Sequence, residues 1–264
     1  MSKLTAIVLA GGKGTRLRPI VSDVPKPLAQ IRGRPFLSYL LDQLITGGAE
    51  QFIISTGYMA DAIETEFQFS YKGRAIKYSR ETTPLGTGGA IKAAARLVDG
   101  PNLLVANGDS YFNTDLKDFC NWAIRLQPPA AIMLCETEDT SAFGSVRINE
   151  FDQITCFEEK TNAPGQRGWI NAGIYMFTSA FISSFPSRIP LSLERDVFPA
   201  HTSKDMLGYR ATAGFIDIGT PSSYAIADSF FRDVRNSKPD DIAIKSKSTD
   251  ASSLSKSSIK WTQK

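Results

Sequence analysis

The chain has 264 residues, of which 42% are hydrophobic, 22% charged and 10% aromatic. This length suits one large domain with a substantial core, and the composition is that of a folded globular protein, which excludes wholesale disorder and fibrous repeats. The formal net charge of +3 is too close to balance to indicate a nucleic-acid partner.

Short β-branched strands alternate with helical patterns through the first half of the chain, which is typical of βαβ units and a mostly parallel sheet. We predict helices at residues 36–45, where apolar residues recur at helical spacing, and at residues 89–97, which are rich in alanine. The predicted strands cover residues 5–9, 52–55, 75–79, 103–107 and 131–135.

The pattern changes after residue 144. Residues 145–149 and 154–159 flank the turn Glu150-Phe151-Asp152, which predicts an antiparallel hairpin, and residues 169–177 predict another strand. The sequence therefore predicts an α/β fold, with a Rossmann-like, mostly parallel sheet flanked by helices and a small antiparallel part.

No proline- or serine-rich linker separates the two parts, so we predict one domain over residues 1–235, divided into halves at about residue 136. Residues 236–264 are rich in serine and lysine and have few large apolar side chains, which predicts a disordered tail. From residue 237 onward the chain carries six lysines and three aspartates, so the remainder is close to neutral.

Scarce residue types narrow the possible chemistry. The single histidine, His201, cannot supply a multi-histidine metal site, and the three cysteines are never spaced as CxxC, so neither a zinc ribbon nor a disulfide framework is indicated. No apolar run approaches the ~20 residues of a membrane span, and the N-terminal apolar stretch leads into GGKGTR rather than a cleavage site. We therefore expect a cytoplasmic protein without a membrane partner.

A glycine-rich turn follows the first predicted strand. In AGGKGTRLRP three glycines lie within four positions, which permits a ligand to approach the backbone closely. A Rossmann fingerprint would need glycine where Leu17 stands, and a Walker loop would need serine or threonine where Gly14 stands, so neither motif fits. The cations Lys13, Arg16 and Arg18 favour an anion site over a purely structural turn.

A series of strings, in order along residues 4–231, resembles the signature of the sugar-phosphate nucleotidyltransferases, or nucleotide-sugar pyrophosphorylases. Within that family the pattern is most similar to guanylyltransferases that use a manno-configured heptose 1-phosphate and whose short chains lack a C-terminal β-helix domain. The strings are LAGGKGTRLRP (9–19), VPKPL (24–28), PLGTGGAI (84–91), NGDSYF (107–112), FEEK (157–160), INAGIY (170–175), SLERDVFP (192–199) and FIDIGTP (215–221).

The resemblance implies that the first half binds a nucleoside triphosphate. Arg16 and Lys26 are implied to be catalytic, offsetting charge on the phosphates, and the flanking prolines would hold Lys26 rigidly. The alternatives are a solvated loop for the glycine-rich turn and a helix cap for Thr87. The implied nucleotide-binding residues are Leu9, Gly11, Gly12, Lys13, Gly14, Thr15, Gly86, Thr87 and Gly88.

Two aspartates are implied to bind Mg²⁺. Asp109 follows a predicted parallel strand at its carboxyl end, where open α/β sheets bind ligands. The resemblance implies that Asp109 is catalytic and shares one Mg²⁺ with Asp217, and without a cation two such carboxylates are expected to repel each other. The alternative for Asp217 is a turn or cap residue ahead of Thr220.

The second half is implied to bind the sugar phosphate. Glu159 and Asn171 would accept or donate hydrogen bonds to hydroxyls, Lys160 would face the phosphate, and Gly173 would leave room for the ring. The alternatives are exposed hairpin charges and an ordinary buried strand, and we interpret the acidic residues at 194 and 196 as capping charges. The implied sugar-phosphate-binding residues are Gly144, Glu159, Lys160, Asn171 and Gly173.

The resemblance implies Mg²⁺-dependent nucleotidyl transfer from a nucleoside triphosphate to a sugar 1-phosphate, for lipopolysaccharide, capsule or S-layer glycans. The Gly-Thr-Gly-Gly string favours GTP, and the finer match favours D-glycero-α-D-manno-heptose 1-phosphate. The alternatives are mannose 1-phosphate guanylyl transfer, glucose 1-phosphate uridylyl or thymidylyl transfer, and a non-catalytic regulatory subunit. A glycosyltransferase would show a DxD motif, which Asp109-Ser110-Tyr111 lacks. The resemblance also allows a homodimer.

Overall fold

The computed structural model describes residues 3–98, 100–141, 143–158 and 166–236, with only the backbone described for 234–236. The helices are α1 (Phe36–Thr46), α2 (Ala60–Phe67), α3 (Gly86–Ala95), α4 (Leu116–Leu126), α5 (Ser179–Ser183), α6 (Phe198–His201), α7 (Pro221–Ala225) and α8 (Ala227–Asn236). The strands are β1 (Thr5–Ala10), β2 (Gln30–Ile31), β3 (Arg34–Pro35), β4 (Gln51–Thr56), β5 (Ser70–Tyr71), β6 (Arg74–Arg80), β7 (Asn102–Asn107), β8 (Ser110–Phe112), β9 (Ala130–Thr137), β10 (Ser145–Ile148), β11 (Ile154–Glu158), β12 (Gly168–Thr178), β13 (Met206–Ala211) and β14 (Phe215–Asp217).

Within the described residues, a ten-stranded mixed sheet forms the centre of the molecule. Its main path runs β11-β10-β12-β7-β1-β4-β6-β5, and β9 joins β12 to β13. The pairs β7-β1, β1-β4, β4-β6 and β13-β9 are parallel, whereas β12 is antiparallel to β7, β9 and β10. The predicted α/β class is confirmed, and the predicted hairpin is the antiparallel pair β10-β11.

The sheet is covered by helices on both faces because its central strands are apolar on both sides. Along β1, Ala6 and Val8 face one core with α1, α2 and α4, while Ile7 faces the other core with α3, α5 and α6. All three side chains are fully buried. Each predicted central strand is found with one to three additional residues, because the apolar pattern marks only its buried part.

A third apolar cluster lies apart from the two sheet cores. It is built on Phe231, whose ring lies 4.3 Å from Tyr39 and 4.9 Å from Tyr111 between centroids. Ile216 and Ile218 belong to the same cluster, so α8 and the strand β14 are anchored against the first half of the chain. The last described segment therefore closes back over the start of the molecule.

Several further expectations can be compared with the structure. His201 lies at the end of α6, where its Nδ1 is 2.8 Å from Asp205 Oδ2, a structural contact. Cys120, Cys135 and Cys156 are free. Among the described residues, every helix is too short or too polar to cross a bilayer. The tail expected at residues 236–264 lies beyond the described residues apart from Asn236, so its disorder stays a prediction.

Candidate active site

Lys26 and two aspartates from distant parts of the chain meet in one cluster. Lys26 Nζ lies 2.9 Å from Asp109 Oδ2 and 3.1 Å from Asp217 Oδ1. The lysine side chain is 8% exposed, whereas those of Asp109 and Asp217 are 45% and 29% exposed. The carboxylates are thus open to solvent above a buried ammonium. The repulsion expected between two carboxylates without a cation is offset here, because the Lys26 ammonium lies between them.

Local structure explains how this cluster forms. Lys26 begins a single 3-10 turn, Lys26–Leu28, between two prolines that fix the backbone. Asp109 follows β7, and the next strand, β8, pairs antiparallel with β14 so that Asp217 lies opposite Ser110. The second half of the chain therefore folds back over the first, which is what a site shared by Asp109 and Asp217 requires.

The glycine-rich turn reaches this cluster through Arg16. A Cβ built on Gly219 would lie 2.9 Å from Lys26 Nζ and 3.1 Å from Arg16 Nη2, so both cations converge on that glycine. Gly14, at φ +59°, packs against the stem of Lys26. Lys13 and Arg16 are exposed and form no ion pair with any carboxylate in the described part of the chain. These cations are free to bind an anion.

The other end of the turn faces a carboxylate. Glu81 directly follows strand β6, and a Cβ built on Gly11 would lie 3.0 Å from its Oε1. Glu81 accepts hydrogen bonds from the Leu85 amide at 2.9 Å and from the Ser55 hydroxyl at 3.2 Å. No ion pair compensates Glu81 within the described residues, so the turn has an acidic end and a basic end.

The LGTGG string packs internally. Leu191 O accepts hydrogen bonds from the amides of Gly88 at 2.8 Å and Gly89 at 3.3 Å, and a Cβ on Gly86 would lie only 2.4 Å from that oxygen. Thr87 Oγ1 accepts from the Leu193 amide at 2.8 Å. Because this carbonyl supplies a cap, α3 begins three residues before the predicted position. The predicted nucleotide-binding groups of this string are thus engaged with the chain itself.

The predicted sugar-binding strand lies next to the aspartate cluster. Gly173, at φ +76°, has no room for a side chain, because a Cβ would lie 2.7 Å from Asn107 Nδ2 and 2.8 Å from Ser110 Oγ. Asn171 Nδ2 donates to the Tyr175 hydroxyl at 2.9 Å, and its Oδ1 accepts from the Gly173 amide. Burial raises the pKa of Tyr175 far above its usual value, so this phenol stays neutral.

The remaining predicted residues fall into three groups. Leu9 is in β1, where its carbonyl accepts from Gly108 at 2.9 Å, and Thr15 is exposed in the turn. Gly144 lies at φ +76° in a turn where its amide donates to Thr140 O. Glu159 and Lys160 lie outside the described residues.

Sequence reasoning missed Glu81 and Tyr175 as site residues. Glu81 stands at the carboxyl end of β6, and the rule that ligands bind at the carboxyl ends of parallel strands would have indicated it. Tyr175 is inside the INAGIY string, but its aromatic character predicted only a buried position. Gly219 has no side chain, so its position in the site is evident only in the folded structure, where two cations converge on it.

The comparisons with known proteins cover most of the described residues. A family model described as nucleotidyl transferase matches residues 5–233. The chain is 37% identical over 222 residues to the D-glycero-alpha-D-manno-heptose 1-phosphate guanylyltransferase of Aneurinibacillus thermoaerophilus, covering 84% of this chain and 95% of that one. It is 36% identical to the mannose-1-phosphate guanylyltransferase of Mycobacterium tuberculosis, covering 84% of this chain and 63% of that one.

Solved structures agree with this comparison. The crystal structure of HddC from Yersinia pseudotuberculosis complexed with GMP-PN superposes with a TM-score of 0.75 at 33% identity, covering 86% of this chain and 99% of that chain. The chain is thus similar to this solved structure in both fold and sequence over most of its length.

Proposed function

The chain belongs to the nucleotidyl transferase family, and on that premise we propose that it transfers the guanylyl group of GTP to D-glycero-α-D-manno-heptose 1-phosphate. That it is a sugar 1-phosphate nucleotidyltransferase follows from the family and from the guanylyltransferases it matches. The observation that carries the choice of GTP is the polarity of the glycine-rich turn, with a carboxylate at one end and cations at the other.

The acidic end supports guanine as the base. A carboxylate only accepts hydrogen bonds. Guanine offers two adjacent donors, N1–H and the 2-amino group, whereas uracil and thymine offer one donor between two carbonyl oxygens. A guanine against Gly11 would donate to Glu81, while a pyrimidine would bring a carbonyl oxygen towards the same negative charge. Because Glu81 has no cationic partner in the described chain, it strongly favours the base with donors.

The basic end supports a triphosphate. A nucleotide that lies along the turn with its base at Gly11 would bring its phosphates to Lys13 and Arg16, whose side chains are exposed and unpaired among the described residues. Cations bind phosphate oxygens through charge-assisted hydrogen bonds. Lys26, buried beneath the two aspartates, would contact the phosphate at the reacting centre.

Asp109 and Asp217 fit a magnesium ion. Both carboxylates lie within hydrogen-bond distance of one atom, Lys26 Nζ, so they are close enough to share a cation, and both are open to the cleft. Mg²⁺ prefers carboxylate oxygens and keeps positions for phosphate oxygens and water. When bound, the ion would supply charge neutralisation for the triphosphate. Lys26 would then be released to pair with phosphate.

The reaction needs no general base, since an ionised phosphate monoester is already a nucleophile. A phosphate oxygen of the sugar 1-phosphate forms a bond to the α-phosphorus of GTP while the bond to the β-phosphate oxygen breaks, and pyrophosphate leaves. Arg16 and Lys26 hold the phosphates in line and stabilise the charge that develops on their oxygens. His201, held by Asp205, has no part in this chemistry.

Two sugars remain candidates. The heptose relative is matched over 95% of its length, which supports D-glycero-α-D-manno-heptose 1-phosphate. The mannose relative is almost as similar in sequence, at 36%, but the match spans only 63% of its length. Mannose 1-phosphate is therefore the second candidate substrate.

A substrate panel tests the proposal. Pyrophosphate release is measured for GTP, ATP, UTP and dTTP, each with the 1-phosphates of the manno-heptose, mannose and glucose. We expect the highest kcat/KM for GTP with the heptose 1-phosphate. The highest value for UTP or dTTP with glucose 1-phosphate would contradict the base assignment, and the highest value for mannose 1-phosphate would replace the sugar.

A further inference from the structure

Glu194 is a second uncompensated carboxylate beside the site. It lies in the helical turn Leu193–Val197, where its Oε2 accepts hydrogen bonds from the hydroxyls of Thr87 at 3.2 Å and Ser192 at 2.9 Å. Its other oxygen, Oε1, has no hydrogen bond to any residue in the described ranges, and no cation there pairs with it. The interpretation of Glu194 as a capping charge involves Oε2, and Oε1 is available to a ligand.

The surroundings of Glu194 lead towards the predicted sugar strand. Its negative charge, after burial, is the largest contribution that raises the pKa of the Tyr175 phenol, and Asp109 adds to the same effect. Tyr175 shares its apolar core with Leu193, the neighbour of Glu194, and its ring lies 5.8 Å from that of Phe198 between centroids, so the turn that carries Glu194 packs against the strand that carries Asn171. Asn171 donates to that phenol at 2.9 Å. Glu194 thus lies near the position where a sugar attached to a phosphate at Asp109 would extend over Asn171.

We infer that Glu194 accepts hydrogen bonds from ring hydroxyls of the sugar 1-phosphate through its free Oε1, and so helps to select the sugar. This inference rests on the proposed function only in requiring a sugar 1-phosphate substrate. A carboxylate oxygen has two lone pairs and can therefore accept hydrogen bonds from two neighbouring hydroxyls. The two hydroxyls on Oε2 fix its orientation.

The position also explains the packing of the LGTGG string. Thr87, in the first turn of α3, donates to Glu194 and accepts from the Leu193 amide, so the start of α3 and the sugar-facing carboxylate are held by one hydroxyl. A side chain held in this way loses little conformational entropy when a ligand binds. The structural role therefore belongs to Oε2 of Glu194, and the proposed binding role belongs to Oε1.

The competing account is that Glu194 only braces the chain, and Glu194→Gln separates the two. Glutamine keeps an acceptor for Thr87 and Ser192 but presents an amide where Oε1 was. We expect the KM for the sugar 1-phosphate to rise roughly 10- to 100-fold, the loss typical of hydrogen bonds to a charged group, with an unchanged KM for GTP and an unchanged Tm. An unchanged KM for the sugar 1-phosphate would overturn the inference.

Asp196→Asn is the matched control on the same turn. Asp196 accepts from the Ser192 amide at 2.7 Å and pairs with Arg188, so it is structural. We expect this variant to lower the Tm without changing the KM for the sugar 1-phosphate. If Asp196→Asn and Glu194→Gln raised that KM equally, a general disturbance of the turn would be the cause and the inference would fail.

Deoxy analogues of the sugar 1-phosphate give the direct test. For the hydroxyl that Glu194 binds, the wild-type enzyme should lose about tenfold or more in kcat/KM on deoxygenation, and Glu194→Gln should lose almost nothing further. Equal losses in both proteins for every deoxy position would exclude contact. If the wild-type enzyme used no sugar 1-phosphate at all, the proposed function would fail instead, so the two failures are distinguishable.

Discussion

The glycine-rich turn and the LGTGG string were both predicted to bind the nucleotide, but the structure uses their glycines differently. A Cβ on Gly12 would have nothing within 4 Å, whereas one on Gly86 would lie 2.4 Å from Leu191 O. The first string leaves its backbone open to a ligand at Gly12, and the second uses its backbone to pack against residues 191–194. Glycine therefore allows close packing within the chain at Gly86 and leaves open space at Gly12.

The two strings also differ in charge. The glycine-rich turn lies between the carboxylate of Glu81, which has no ion pair among the described residues, and two cations, the exposed Arg16 and the buried Lys26. The polar groups of LGTGG are paired with Leu191, Leu193 and Glu194. We therefore expect substitutions around the first string to change catalysis, and substitutions within the second to change stability.

The largest expected effect is at the two aspartates that pair with Lys26. Asp109→Asn and Asp217→Asn should each lower kcat by more than about 10³-fold, because each removes one carboxylate that would hold Mg²⁺ near the triphosphate. Since Lys26 loses a partner, the Tm should fall slightly rather than rise. Steady-state kinetics with a Mg²⁺ titration measures the effect.

The double variant is the control for a shared ion. If one Mg²⁺ serves both carboxylates, Asp109→Asn combined with Asp217→Asn should lose little more than the worse single variant. Multiplicative losses, or full Mg²⁺-dependent activity in either single variant, would contradict the shared site.

The second largest effect is expected at the cations Arg16 and Lys26. Arg16→Ala and Lys26→Ala should each lower kcat by about 10²- to 10³-fold, the usual loss when one donor to a developing charge is removed. Arg16 is exposed, so its variant should keep the parental Tm and is the cleaner of the two. Losses below tenfold in variants that stay folded would remove these residues from the catalytic machinery.

Gly12→Ala and Gly86→Ala test the comparison itself. Gly86 lies at φ +75° against Leu191 O, so its substitution should lower the free energy of unfolding by about 2 kcal/mol or more. Gly12→Ala should leave stability within about 0.5 kcal/mol and raise the KM for GTP, because its methyl group would occupy the open turn. Denaturant unfolding and steady-state kinetics on both variants measure these effects. The comparison between the two strings would be contradicted if Gly12→Ala were the destabilising variant.

The smallest effect is expected from the tail. Truncation after Asn236, the last residue of α8, should leave activity unchanged and the Tm within about 1 °C, because residues 237–264 have too little apolar surface to add to a core. Differential scanning calorimetry and light scattering measure this. A Tm drop of several degrees, or loss of assembly, would show that the tail docks.

Much of the first half could be predicted because its signals are local. The central strands follow from short apolar runs, and Arg16, Lys26 and Asp109 lie inside strings that carry their chemistry with them. The meeting of Asp109 and Asp217 depends on the pairing of β8 with β14, two three-residue strands a hundred residues apart, for which no local pattern exists. Lys26 could be predicted as rigid, but its burial between two carboxylates could not.

Other features were missed because their significance depends on a neighbour that is distant in sequence. In the sequence Glu81 is an ordinary polar residue after a strand, and only the folded structure shows that Gly11 lies beside it. Thr87 resembles a helix cap, and it becomes a link to the second half only when Leu193 and Glu194 fold against it. In each case the residue type was visible, and the partner was supplied by the fold.

The most direct test of the account is the base selectivity of Glu81→Gln. Glutamine keeps one acceptor, for the Leu85 amide, and places its NH2 group where Oε1 accepted from the Ser55 hydroxyl, which can accept from that group instead, so the Tm should change little. The side chain then presents one donor beside one acceptor, as a pyrimidine requires. The measurement is the ratio of kcat/KM for GTP to that for UTP. We predict that the ratio falls about 10²-fold or more. An unchanged ratio in a folded variant would contradict the assignment of the acidic end of the turn to guanine.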